Sequence, residues 1–562
     1  MTRRRGILAS VLTVVALLLT ACTGLPTSGP VNYGLTPETG ADSEDISFFL
    51  PDRPQPGASP EQIVEGFIRA GSGPGLGATW SRAREFLAPE LQASWKPDAG
   101  VTIDVFEDRD YNEPTVGVVD LSLAAVATVD DKGSYERAEV AGRSLSFELA
   151  EQEDGEWRIT AAPDGVVLDR DEFPTVFNRY AVMYFDPTWE YLVPDARWFP
   201  TTNAAASVTN ALVNQPVSEW LLESVATAFP ESVTAVASVP VSSGVAEVDL
   251  SEAALAADTV TLNRMMTQLE ASLATARVSQ VELSVESTPI VAEAVPTRST
   301  RVTGAPLVLV EQGFGFLTGD ELEPVPGLSE VVEDALPVAM QVAPDRDLAA
   351  ARLTTGEVLR LSADGGRDVL DQRAALVDPT IDPFGYVWSV PRDQPAAVRA
   401  SPADGSAPIE IADAWPGATQ IASMSVSRDG TRIAALVTAG GRTAIWVAGI
   451  VRDTDQVPVR IGLPVQLGTT SQTGRGLAWL DDLSIGVLSG DAEGSIVLEQ
   501  VIGGPSSAAT AAAGIASIAG GTSLSAVRLR AEDGTLYIKR GTSWQPTATG
   551  VLVLATQQGA PQ

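Results

Sequence analysis

The sequence predicts a multidomain protein: an N-terminal α+β domain, a second α+β domain and a C-terminal all-β propeller. Three observations carry that reading. Amphipathic helical stretches followed by long alternating strands fill residues 59–165. A helix–strands–helix–strand pattern occupies roughly 200–297. The remainder loses helical periodicity and repeats short strand–turn units instead. A chain of 562 residues with 44% hydrophobic content has room for several real cores.

The chain starts with MTRRRGILASVLTVVALLLTAC. Arg3, Arg4 and Arg5 precede a short apolar run, the layout of a secretory signal peptide over residues 1–21. That run is shorter than the ~20 residues of a spanning helix. Leu19-Thr20-Ala21-Cys22 resembles a bacterial lipobox, which implies cleavage between Ala21 and Cys22 and lipidation of Cys22. Each buried methylene contributes about 0.8 kcal/mol, so two or more acyl chains hold a body at a membrane. The expected location is the outer face of the cytoplasmic membrane, lipid-anchored. Residues 22–58 are rich in proline and glycine and read as an acylated tether.

Order is expected from Ser59, an N-cap followed by Pro60 and Gln62, with Ile63, Val64, Phe67 and Ile68 on one face and Gly71 as the stop. A second amphipathic helix is expected after the glycine loop 71–77. That loop lacks phosphate-cradle spacing and contains Pro74, which has no N–H to give, so it reads as a connection. Strands with hairpin turns at Asp130–Gly133 and Glu153–Gly155 complete the domain. Helices followed by such a meander resemble the NTF2-like α+β cone, here 59–165.

Residues 166–300 begin with an aromatic connector in a chain only 6% aromatic. Tyr184, Trp189, Tyr191 and Trp198 have two readings: a stacking surface for a partner or a glycan, or a domain-entry strand with an interdomain seam. The second is favoured. Beyond them, TNAAASVTNALVNQP reads as a helix and SVTAVASVPVSSGVAEVDLS as two strands across Ser242-Ser243-Gly244. TLNRMMTQLEASLATA places Leu262, Met265, Met266, Leu269 and Leu273 on one helical face, and VSQVELSVES turns Val281, Leu283 and Val285 inward. Residues 301–556 carry turns such as Arg428-Asp429-Gly430-Thr431 and Glu532-Asp533-Gly534-Thr535, each followed by an apolar strand. Their spacing suggests propeller blades, with a double sandwich as the other arrangement.

Composition excludes most chemistry. The 72 acidic residues against 37 basic ones give a net charge of −35. Loss of the three leader arginines leaves 34 basic side chains and −38. Such a field repels phosphate backbones, so nucleic acid is excluded as a partner. Zero histidine removes Ser-His-Asp catalysis and His-ligated zinc, and one cysteine removes disulfides and thiolate clusters. No cofactor or metal is expected. The acid pairs Asp481/Asp482 and Asp378/Asp382 and the group Glu107/Asp108/Asp110 are sequence neighbours, a poor basis for two carboxyls facing across a cleft. The expectation is a protein that is not an enzyme.

The segment from Ala211 to Glu286 resembles the GerMN module of spore-germination proteins. Together with the lipobox, the preceding domain and the all-β tail, the chain resembles the LpqB family of actinobacterial lipoproteins over nearly its whole length. The resemblance implies an accessory partner of a sensor histidine kinase. That partner is the extracytoplasmic part of MtrB, whose response regulator MtrA acts on cell wall and division. The other function open at this point is peptidoglycan binding, with a carboxylate-based glycan hydrolase behind it.

Overall fold

Ser59 starts the first helix as its sequence dictates. In the computed structural model its hydroxyl accepts from the Gln62 amide while the Gln62 side chain accepts from the Ser59 N–H. This reciprocal cap contributes about 1 kcal/mol. The structure describes residues 51–138, 142–302, 304–470, 472–490, 494–521 and 524–561. The leader, Cys22 and most of the tether lie outside them.

Helix α1 (Pro60–Ala70) buries Ile63, Val64, Phe67 and Ile68 against a curved antiparallel sheet. Its main path is β1 (Gly100–Asp104), β2 (Val118–Asp130), β3 (Gly142–Glu151), β4 (Trp157–Ala161) and β5 (Val166–Asp169), in the order β4-β3-β2-β1-β5, with the short strands Asp110–Thr115 and Tyr135–Arg137 also pairing β2. Only β5 runs parallel to its neighbour β1. Register shifts at Ile103/Asp104 and Glu148/Leu149 bend the sheet around the helix. The expected second helix is instead two four-residue turns, Ser81–Arg84 and Pro89–Gln92. Between them Leu87 bridges to Ile159, and Ala88 and Ile159 exchange backbone bonds with this stretch, so pairing with β4 replaces helical bonding there.

A long hairpin, β6 (Phe177–Phe185) and β7 (Leu192–Pro200), leads into the second α+β domain. Helices α2 (Ala204–Asn214) and α3 (Thr259–Ala274) form as the periodicity predicts, and Asp258 caps α3 by accepting from the Thr261 amide. Strands β8 (Val245–Leu250) and β9 (Gln280–Val285) run parallel, turning Val281, Leu283 and Val285 into the core with Met265 and Met266. The strand expected before Ser242 shrinks to Val241–Ser242.

The C-terminal part is a propeller with six blades among the described residues. Blade 1 joins Leu307–Val310, Gly313–Thr318 and Glu321–Pro324 to the last strand, Val551–Gln557, which returns to pair antiparallel with Leu307–Val310. The other blades start from the inner strands Ala339–Val342, Thr380–Ile381, Ala418–Val426, Gly474–Trp479 and Ile515–Ala519, blades 2 to 6 in order. These inner strands neighbour one another around a ring that closes on Val551–Gln557. One helix, α4 (Leu328–Ala335), links blades 1 and 2. Because successive strands in a blade are antiparallel, first–second and third–fourth turns share one face and second–third turns the other.

Candidate ligand cavities and interdomain seam

The aromatic connector is a seam, and it does not present the stacking surface that was its other reading. Tyr184, Tyr191 and Trp198 are buried, with exposures of 3%, 1% and 8%. Each packs on a different unit. Tyr184 lies in the core of the second α+β domain, where burial pushes its hydroxyl well above the usual tyrosine range. Trp198 lies in the cone core, its ring centroid 4.8 Å from Phe173, and its indole N–H donates to Gly503 O of blade 5 at 2.7 Å. Tyr191 meets Phe384 of blade 3 edge-on at 6.3 Å, with the Arg298 guanidinium 5.4 Å from its ring centre. Burial raises the Tyr191 pKa to about 12. Half-buried Trp189 is covered by Arg264 of α3 at 4.0 Å.

Asp186 sets the hairpin tip that delivers Tyr191. It is fully buried, and its carboxylate accepts from the amides of Thr188, Glu190 and Tyr191 at 2.6–2.9 Å. These bonds hold a turn in which Trp189 takes a left-handed φ of 64°. A second polar knot sits at the other end of the hairpin. Asp195 and Arg197 are buried and paired at 2.8 Å. Asp195 also accepts from the amide and hydroxyl of Ser218, while Arg197 donates to Lys132 O, Ser134 Oγ and Pro216 O. One ion pair thereby ties the cone turn at 130–134, the hairpin and the start of the segment after α2.

The propeller meets this half of the chain through first–second turns and, at Gly503, a third–fourth turn on the same face. Arg298 pairs with Asp345 of blade 2, and Thr300 donates to Asp482 of blade 5 at 2.8 Å. The turn Arg428–Thr431 of blade 4, expected as an ordinary hairpin, is buried. Arg428 donates to Trp479 O and Gly521 O, so it bridges to blades 5 and 6, and burial holds its pKa below the usual arginine range. Asp429 pairs with Arg432 at 2.5 Å. The similar turn Glu532–Thr535 joins the second and third strands of blade 6 and lies on the opposite face, with Glu532 and Asp533 exposed.

Of the candidate acids, Asp378, Asp382 and Asp482 are tied into structural contacts. Asp382 accepts from Arg452 at 2.7 Å and from the Trp388 indole, and Asp378 pairs with Arg352 at 2.6 Å. Burial raises the Asp482 pKa, opposed by Arg432 and by the Thr300 hydroxyl. Glu107 and Asp108 sit in an exposed single turn. Among the described residues no group of three or more His, Cys, Asp or Glu is placed to hold a metal.

Among the described residues two cavities of ligand size stand out, neither signalled by any motif. One of about 300 Å³ opens inside the cone, walled by Phe67, Trp95, Leu145 and Phe147, with Arg143 donating to Thr102 Oγ1 at 3.1 Å. The other, about 290 Å³, lies where the cone meets α2, with Trp198 and Phe199 on one side and Asn203, Ser207, Asn210 and Gln215 on the other. Trp198 alone of the four expected aromatic site residues reaches either cavity.

Three family models match the chain. Residues 53–174 match "Lipoprotein LpqB, N-terminal domain", residues 181–291 match "Sporulation and spore germination", and residues 308–553 match "Lipoprotein LpqB beta-propeller domain". A Cutibacterium acnes protein, "Lipoprotein LpqB", is 29% identical over 45% of this chain and 43% of its own length. The Thermobifida fusca protein of the same name is 31% identical over 45% of this chain and 42% of its own. The matched segments thus span less than half the length of these relatives. Among solved structures, a putative TolB from Agrobacterium tumefaciens aligns with a TM-score of 0.30 at 15% identity, over 39% of this chain and 85% of that one.

Proposed function

Because the chain belongs to the LpqB lipoprotein family, we propose that it is a membrane-anchored, non-catalytic platform held outside the cell membrane by acylated Cys22. It acts there as an accessory partner of a sensor histidine kinase of the MtrB type. One observation carries the reading. The N-terminal half contacts one face of the propeller through Tyr191, Trp198, Arg298 and Thr300, and the second–third turns of the blades carry none of those contacts. Exposed Glu311, Thr354, Thr355, Arg392, Asp393 and Gln394 lie on those turns. A polar, solvent-facing surface is what a partner domain needs, whereas a hydrolase needs two free carboxyls across a cleft.

Regulation follows from differential affinity. A lipoprotein that binds two signalling states of the kinase unequally by 1–3 kcal/mol shifts their ratio about 5–150-fold. The test is capture of the purified extracytoplasmic kinase domain on the full chain. Saturable binding near micromolar concentration supports the proposal. Reproducible absence of binding there removes it.

A further inference from the structure

Beyond the turns, the second α+β domain reaches the outer edge of blade 4. The third strand of that blade, Arg442–Arg452, pairs with two short strands, Pro458–Ile461 and Val465–Thr470, rather than with one continuous fourth strand. The loop 218–224 meets this edge. Leu221 and Ser224 are buried, Trp220 packs against the cluster that holds Leu436, Ile445 and Val447, and Glu223 pairs with Arg460.

Gly449 of the third strand makes room for that loop. A Cβ there would clash with Ser224 Oγ, lie 2.7 Å from Ser224 Cβ and lie 3.0 Å from Trp220 O. No larger residue fits without displacing the loop. Its φ is not left-handed, so what glycine supplies here is space and not backbone freedom. Two other glycines of the propeller show the same close approach. A Cβ at Gly468 would come within 3.1 Å of Arg137 Nη1 in the cone, and one at Gly504 within 3.3 Å of the Trp198 ring, besides contacts inside the propeller.

The loop has its own supports within the second domain. Ser218 donates its amide and hydroxyl to Asp195 of β7, and Ala226 exchanges both backbone bonds with Phe185 of β6. Both ends of the loop are therefore fixed on the long hairpin, and little ordering remains for the contact with blade 4. The covalent link between the halves is different in kind. Residues 291–302 form no helix or strand, and Arg301 is exposed.

We propose that loop 218–224 and the glycine-opened edge of blade 4 form a clamp that holds the N-terminal half on the propeller whether or not the strap 291–302 is intact. The strap tethers, and the clamp sets how the second domain sits on the blade. The clamp is independent of any kinase contact, because Gly449 pairs with Arg432 at the end of its strand away from the second–third turn.

The test uses the full chain in detergent, with a site-specific protease sequence inserted between Arg301 and Val302 and then cut. The two fragments are expected to co-elute on size exclusion at about 1 µM, where the uncut chain also runs. Gly449→Ala is expected to weaken their association by roughly tenfold or more, and Ser224→Gly in that background to recover most of the loss. Ser224 Oγ makes no hydrogen bond, so its removal breaks none. Trp220→Ala, which leaves the blade untouched, is expected to weaken association by about tenfold. Melting of the uncut variants reports whether each still folds. The clamp is overturned if the cut wild-type halves separate at about 1 µM, or if Gly449→Ala and Trp220→Ala both leave affinity within about threefold. Failure of Ser224→Gly to restore Gly449→Ala overturns it as well.

Discussion

Asp195→Ala is the sharpest perturbation of the seam. Both members of the Asp195–Arg197 pair are nearly inaccessible, with side-chain exposures of 2% and 3%. Removing the carboxylate leaves a buried guanidinium whose remaining bonds, to Lys132 O, Ser134 Oγ and Pro216 O, are to neutral oxygens. Loss of one partner from a buried pair costs about 3–5 kcal/mol, mostly from the charge left behind. The Ser218 amide and hydroxyl lose their acceptor as well. Native-state hydrogen exchange at the Ser218 amide reads the local opening, and urea unfolding followed by tryptophan fluorescence reads the wider transition. Arg197→Met in the same background should restore part of the loss, so that the double variant costs about 1–3 kcal/mol less than the two singles together. Additivity within ~0.5 kcal/mol, or an Asp195→Ala cost below ~1 kcal/mol, would refute the pair as the tie between cone, hairpin and second domain.

Further outcomes follow from the same structure. Gly430 has φ +70°, and a Cβ there would come within 2.6 Å of Phe384, so Gly430→Ala should cost roughly 2–4 kcal/mol by combined strain and overpacking. Gly534→Ala, in the similar turn on the other face, approaches Val551 O and N no closer than 3.1 Å and Gly550 N at 3.4 Å and should cost less, nearer ~1–2 kcal/mol, in the same melts. Burial opposes ionisation of Asp371, but bonds from Arg373 and Ser389 outweigh it and hold its pKa below the ordinary value. Its contribution is therefore full above about pH 4 and lost as pH falls through the lowered folded value, and Asp371→Asn should flatten the acid limb of stability against pH. Asp482 has the opposite sign: burial raises its pKa, so its favourable contribution exists in acid and disappears as pH rises through the folded value. Asp482→Asn should accordingly raise the melting temperature at pH 7–8. Cys22→Ala should abolish acyl labelling and membrane retention while leaving the circular dichroism of the folded domains unchanged.

The parts legible in the sequence are those that local chemistry decides. Ser59, Pro60 and Gln62 form their cap within one turn of backbone, and the face Met265–Leu269–Leu273 needs only the helical period to be read. The environment of a turn is different. Arg428–Thr431 and Glu532–Thr535 share a motif, yet one is buried under Pro383 and Phe384 and the other is exposed. Contacts some 45 residues away decide that, and no window of sequence contains them. The second predicted helix failed for a similar reason, since Leu87 and Ala88 pair with Ile159 across the domain. Aromatic content marks residues 184–198, but ring count does not separate a surface from buried packing. The cleft facing α2 escaped notice because Asn203, Asn210 and Gln215 are ordinary helix-surface residues until the cone is packed against them.

In the proposed function, the propeller face away from the N-terminal half meets a kinase sensor domain at the membrane. Photo-crosslinking in intact cells tests it, with a crosslinking residue placed at Thr355 or Gln394 on that face and, separately, at Asp345 on the face bound by Arg298. Peptides from the extracytoplasmic segment of the kinase are expected from positions 355 and 394 and not from 345. Recovery of no kinase peptide, or equal recovery from both faces, would contradict it.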